Sequence, residues 1–111
     1  MEIHDIVLIL TTFPDDDRAE ALARTLVQER LAACVNLHGP MASFYRWKGA
    51  VERDVERQVV IKTTRGRVTA VQSRVLELHK YELPEFLVLS VDDGSDAYLG
   101  WIREQTGPSP G

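Results

Sequence analysis

His79, Glu82 and Glu85 bring an imidazole and two carboxylates into one short stretch of chain. That donor set suits Cu(II) or Zn(II), or proton transfer. The same histidine sits where a helical pattern stops, and a helix C-terminus favours histidine through its dipole and its last carbonyls. Both readings stand. Cys34 is the only cysteine. Its thiolate would bind copper, but a free cysteine in an apolar strand more commonly serves as a small buried side chain. Lys62 alternates with Glu52, Glu56, Gln58 and Val60 along one strand face. A lysine among carboxylates can hold an anionic ligand or make an intersubunit salt bridge, the commoner use. Tyr45 and Trp47 point to one side of their strand and Phe44 to the other. Such aromatics can stack a ligand, but subunit interfaces also concentrate them, and the interface reading is adopted. Asp15, Asp16 and Asp17 lack the spread ligand spacing of a cation loop and complement a helix dipole instead.

Other chemistry is missing. The chain has no Gly-rich phosphate loop, no His-Glu-x-x-His, no Gly-x-Ser-x-Gly and no Cys-x-x-Cys, so neither an enzyme nor an organic cofactor is expected. His4 and His38 stand at no ligand spacing with His79 and read as surface residues. A formal charge of −4 and a pI near 5.3 argue against a general nucleic-acid or anionic-membrane binder. Arg65, Arg67 and Arg74 read as a solvated helix face. The longest apolar run, Ile6 to Leu10, is far too short to span a bilayer. Met1 to Asp5 is acidic where a signal peptide would be basic, and a lone cysteine excludes an intrachain disulfide. A cytoplasmic protein is expected.

The elements that must position these residues follow from periodicity. Ile6 to Leu10 is a continuous apolar run fit for a central strand. Asp15 or Asp16 caps a helix running to Leu31, with Ala19, Leu22, Ala23, Leu26 and Val27 as its apolar stripe. From Ala32 to Thr64 the chain reads as one long β-hairpin turning near Lys48-Gly49, each arm about 14 residues and on the order of 45 Å long. A compact globule of this length is only roughly 35 Å across, so the hairpin projects and its edge needs cover from another subunit. Val68, Val71, Val75 and Leu78 mark a second helix, Phe86 to Val91 a second buried strand. Ser95 caps a third helix bearing Tyr98, Leu99, Trp101 and Ile102. The order is β-α-β-β-α-β plus a terminal helix. It specifies an α+β, ferredoxin-like sandwich with the first and last strands adjacent, a long hairpin between the second and third strands, and an oligomeric state. Residues 1–106 form one domain, and 107–111 are expected to fray.

Several separated motifs resemble one family in order and spacing. They are Ala33-Cys34-Val35-Asn36, Tyr45-Arg46-Trp47-Lys48-Gly49, Glu56, Ile61-Lys62-Thr63, His79-Lys80-Tyr81-Glu82-Leu83-Pro84-Glu85 and Tyr98-Leu99-Gly100-Trp101-Ile102. From Val7 to Ile102 the chain resembles the CutA family of divalent-cation tolerance proteins. The resemblance implies a ferredoxin-like subunit in a tight homotrimer, similar to the PII signal proteins, with a role in tolerance of divalent metals, copper in particular. It departs at Lys80, where the family usually has proline. Two expectations result. The first is a non-enzymatic copper-binding protein using His79, Glu82 and Glu85, with Cys34 second. The alternative is a PII-like signalling or scaffold protein whose intersubunit clefts, lined by Tyr45, Trp47, Glu56, Lys62 and Tyr81, take a small anionic ligand or a partner protein.

Overall fold

Strand β1, Ile6–Pro14, runs through the middle of the sheet, and its Val7, Ile9 and Phe13 are fully buried. The computed structural model describes residues 5–79 and 81–107. His4, Lys80 and residues 108–111 of the expected tail lie outside the described residues. Helix α1 (Arg18–Gln28) follows β1. Strands β2 (Cys34–Leu37), β3 (Met41–Trp47) and β4 (Ala50–Thr64) come next, then a 3-10 turn (Arg65–Arg67), helix α2 (Val68–Leu78), strand β5 (Leu87–Ser90) and helix α3 (Asp96–Gln105). The sheet is antiparallel in the order β2-β4-β1-β5, with β3 paired to the outer half of β4. The first and last strands are neighbours, as expected.

One face of the sheet is closed by α1 and α2. Val7, Ile9, Phe13, Val59 and Ile61 pack against Ala19, Leu22 and Leu26 of α1 and Val71 and Val75 of α2. These are the positions the helical periodicity selects, except that Val27 is 46% exposed. Two boundaries of α1 differ from expectation. Asp17, not Asp15 or Asp16, occupies the N-cap, and the Asp16 carboxylate accepts from the Arg18 amide and guanidinium. The helix ends at Gln28 because Arg30 adopts φ 60°, which sends the Leu31 N–H to the Leu26 carbonyl and the Arg30 N–H to that of Val27. This is a Schellman close built without glycine. The cost of the left-handed conformation, about 1–2 kcal/mol, is offset by the Arg30 side chain. Its Nε and Nη2 donate to the carbonyls of Gly107 and Glu104 at 2.6 and 2.5 Å, tying down the end of α3. Arg67 Nε donates to the Thr106 carbonyl at 2.9 Å. Two cations thus meet the negative end of the α3 dipole.

The other face is open. Paired residues share a face, which places Leu8 and Leu10 of β1, Val60 and Lys62 of β4, and Leu87 and Leu89 of β5 together on it. Helix α3 covers one end of this face through Ile6, Ala33, Leu99 and Ile102. Its Ser95 N-cap accepts from the Tyr98 N–H at 3.2 Å, as the sequence indicates. Strand β5 was expected to be buried and is not. It is the edge strand, with Leu87 54% and Leu89 45% exposed, because among the described residues no further strand pairs with its outer side.

The hairpin also departs from expectation. Its tip turns at Lys48-Gly49 with φ of 50° and 83°, the type I′ geometry that matches strand twist. Its first arm is broken, however, at His38-Gly39-Pro40. Leu37 pairs with Val59 and Met41 with Glu56, so three residues of the first arm stand against only Arg57 and Gln58 of β4. The extra residue is a bulge, and proline at its end has no N–H to give the ladder. A one-residue shift exchanges faces. Even-numbered Cys34 and Asn36 of β2 therefore share a face with odd-numbered Met41, Ser43, Tyr45 and Trp47 of β3. The hairpin elongates the molecule: the radius of gyration is 14.9 Å, against about 13 Å for a compact chain of this length.

Candidate functional site

His79 ends α2 in extended backbone, and both of its ring nitrogens are engaged within the subunit. The Tyr81 amide donates to Nδ1 at 3.1 Å, which requires Nδ1 to be unprotonated. Nε2 therefore carries the hydrogen and donates to the Thr12 carbonyl at 2.5 Å. The ring packs against Phe13 and Tyr81, each with centroids 4.4 Å apart. Burial lowers its pKa from 6.5; the bond to Thr12 opposes this, and the nearby Arg18 charge adds to it. The imidazole is a neutral clasp between β1 and the segment after α2.

That segment, residues 81–85, is tied again at its far end. The Thr11 hydroxyl donates to the Glu85 carbonyl at 2.7 Å, and Gln58 Nε2 donates to the Thr11 carbonyl at 2.8 Å and to Glu85 Oε2 at 3.1 Å. In the middle, the Tyr81 hydroxyl donates to Glu56 Oε2 at 3.0 Å. Burial first, and then that bond, raise the Tyr81 pKa. The fixed segment faces the root of the β3–β4 hairpin across a groove of about 930 Å³. Tyr45, Trp47, Asp54 and Glu56 line its hairpin side, and Tyr81, Glu82 and Glu85 the other. The Tyr45 hydroxyl donates to Asp54, which pushes its pKa up to about 12.

The residues singled out in the sequence divide accordingly. Tyr45, Trp47, Glu56 and Tyr81 meet in the groove with Glu82 and Glu85. Lys62 does not. It lies six residues from Glu56 along β4, roughly 20 Å away, with Nζ 3.5 Å from the Tyr98 hydroxyl and 5.7 Å from that ring's centre. Cys34 is opposite Lys62 on β2, half-buried, with Sγ 4.0 Å from Asn36 Oδ1. The donor set expected for copper does not assemble within one subunit: His79 has no lone pair to offer, and Cys34 is on another part of the sheet. Among the described residues, no three His, Cys, Asp or Glu side chains converge where one metal ion would sit. Sequence reasoning missed Asp54 and Arg18, and placed Gln58 on the Glu56 face without giving it a role. Asp54 is an even-numbered β4 residue like Glu56 and Gln58, a signal that was available. The placing of Arg18 near His79 and Tyr81 depends on the β1–α1 turn and left no mark in the pattern.

Fold and groove together define a small α+β sandwich with an antiparallel sheet, α1 and α2 on one face, α3 over one end of the other, and a projecting hairpin. The family described as CutA1 divalent ion tolerance protein matches residues 7–105. The divalent-cation tolerance protein CutA of Thermus thermophilus is 42% identical over 100 residues, covering 90% of this chain and 97% of that protein. Its counterpart from Pyrococcus horikoshii is 40% identical over 101 residues, covering 91% and 98%. The crystal structure of CutA from Xylella fastidiosa has a TM-score of 0.89 at 44% identity, over 93% of this chain and 99% of that one. The chain belongs to the CutA1 family of divalent-ion tolerance proteins.

Proposed function

We propose that the chain is a non-enzymatic divalent-cation tolerance protein that works as a cytoplasmic homotrimer of ferredoxin-like, PII-like subunits, with copper as its metal. The observation that carries the oligomer is the open sheet face, where Leu8, Leu10, Leu87 and Leu89 sit with Tyr98 and Trp101 close by. An apolar edge strand of this kind is covered in a working protein. The strand order β2-β4-β1-β5 supports the ferredoxin-like topology. A free, half-buried thiol suits a reducing compartment.

Because His79 is spent on Thr12 and Tyr81, a copper ion takes its ligands from Glu82, Glu85 and Cys34 of more than one chain, and His79 acts by positioning Tyr81. Within one chain Lys62 is not in the groove, so the small-anion reading needs a cleft in which Lys62 comes from a neighbouring chain. Titration of Cu(II) into the purified protein by calorimetry, beside sedimentation, tests the proposal. Expected is a trimer that binds less than one ion per chain, weakened by Cys34→Ser or Glu82→Gln/Glu85→Gln. A monomer, or one tight ion per chain lost in His79→Ala, would refute it.

A further inference from the structure

Among the described residues, carboxylates outnumber cations in the lining of the groove. Asp54, Glu56, Glu82 and Glu85 line it, with Arg46 the only basic residue of the lining among the described residues. The ion pairs of the described residues lie elsewhere, between Arg18 and Asp16 and between Arg74 and both Glu29 and Glu77. Glu56 is the decisive group. It is only 9% exposed, yet its partner is the neutral Tyr81 hydroxyl. Among the described residues no ion pair reaches it, and a carboxylate so far buried is costly unless a cation joins it. Around it stand the aromatic rings of Tyr45, Trp47 and Tyr81, whose faces attract ammonium groups and cover methylenes. Glu56 and Asp54 are alternate residues on one face of β4, roughly 6.6 Å apart along the strand. That interval is commensurate with amines joined by short methylene chains.

We propose that this groove binds linear polyamines, with ammonium groups on Glu56 and Asp54 and the methylene chain against Tyr45 and Trp47. Neutral donors already orient both carboxylates, through Tyr81 and Tyr45, so they accept a cation without rearranging. A bare divalent ion gains nothing from the aromatic walls, and an anion is repelled. The ammonium groups are assigned to Asp54 and Glu56, and copper to Glu82, Glu85 and Cys34, so either binding activity can fail while the other stands even though Glu82 and Glu85 also line the groove.

The chain's two tryptophans make the test direct, since Trp47 lines the groove and Trp101 lies on α3. Spermidine is titrated into the assembled Trp101→Phe protein while Trp47 emission is followed, with calorimetry on the unaltered chain in parallel. Expected is a saturable change in both, weakened about tenfold or more in Asp54→Asn/Glu56→Gln, and weakened also in Trp47→Leu, which leaves the charges in place. The proposal is overturned by no saturable response at millimolar spermidine, the outcome if a neighbouring copy fills the groove. An undiminished response in the charge variant overturns it too, as does Mg²⁺ reproducing the response and competing equally.

Discussion

The imidazole Nε2 of His79 lies 2.5 Å from the carbonyl oxygen of Thr12, joining the end of α2 to the end of β1. Protonation of the ring would leave Nδ1 with a hydrogen facing the Tyr81 amide, which also donates. The groups around the ring divide: Arg18 disfavours its charge, Glu56 favours it, and burial disfavours it most. The folded pKa is below the ordinary 6.5, so as pH falls the unfolded chain binds a proton before the folded one does. The stability that neutral His79 contributes is complete above about pH 6.5 and is lost progressively below it. Thermal midpoints from about pH 8 to pH 5 should fall more steeply in the natural chain than in His79→Gln. Parallel profiles would remove His79 as the titrating group.

The Tyr81–Glu56 bond crosses from the 81–85 segment to β4 at 3.0 Å. Tyr81→Phe leaves a buried carboxylate without its donor and should cost about 1–3 kcal/mol. Glu56→Gln in the same background should recover part of that loss, because the buried charge goes with it. Urea unfolding at one fixed protein concentration measures both. Additive losses would mean that the two side chains do not act as a pair.

These contacts show where the sequence was readable. Helical stripes, the Lys48-Gly49 turn and the Ser95 cap are local signals, and α1, α2, the hairpin tip and α3 formed where they indicated. The groove is a matter of register. One extra residue at His38-Gly39-Pro40 decides which side of the hairpin Tyr45 and Trp47 share, and no periodicity within β3 reports it. Alternation put Lys62 and Glu56 on one face correctly but could not say that their separation along β4 sends them to different sites. The run Leu87-Val88-Leu89 read as buried because an apolar strand in the middle of a sheet and one at its edge share a composition.

The exposed edge gives a sharp contrast between two aliphatic positions. Leu89 is on the open face and 45% exposed, and Val27 is on the outer side of α1 and 46% exposed. By exposure alone they are equivalent. Leu89→Glu should break the assembly into smaller species in sedimentation, whereas Val27→Glu should leave its mass unchanged. Dissociation by both, or by neither, would place the interface elsewhere.

Arg30 combines an unfavourable backbone with a useful side chain. Replacing it by glycine relieves the left-handed strain, worth about 1–2 kcal/mol. It also removes both charge-assisted bonds to Glu104 and Gly107, about 1.5–3 kcal/mol each before solvent screening of the exposed one. The bonds outweigh the strain. Arg30→Gly should therefore destabilise by about 1–2 kcal/mol, and amide exchange should quicken at the end of α3 before it does in β1 or β4. A stabilised variant would show that the clasp contributes less than the strain.

Gly49 governs the groove from the hairpin tip, although it touches nothing there. Its φ of 83° completes the type I′ turn that sets Trp47 opposite Ala50 and, two pairs further in, Tyr45 opposite Glu52. A Cβ at Gly49 would meet no atom within 4 Å, so the cost of Gly49→Ala is conformational and not steric crowding. It should amount to about 1 kcal/mol. Lys48 also has a left-handed φ of 50°, and asparagine tolerates that region better, so Lys48→Asn should stabilise by several tenths of a kcal/mol. If the turn sets the register, Gly49→Ala should also shift Trp47 emission toward that of a solvated ring and weaken spermidine binding. Lys48→Asn should leave both unchanged while raising the unfolding midpoint. Loss of stability in Gly49→Ala with an undisturbed Trp47 signal would mean that the bulge at the root, and not the turn at the tip, holds β3 in phase.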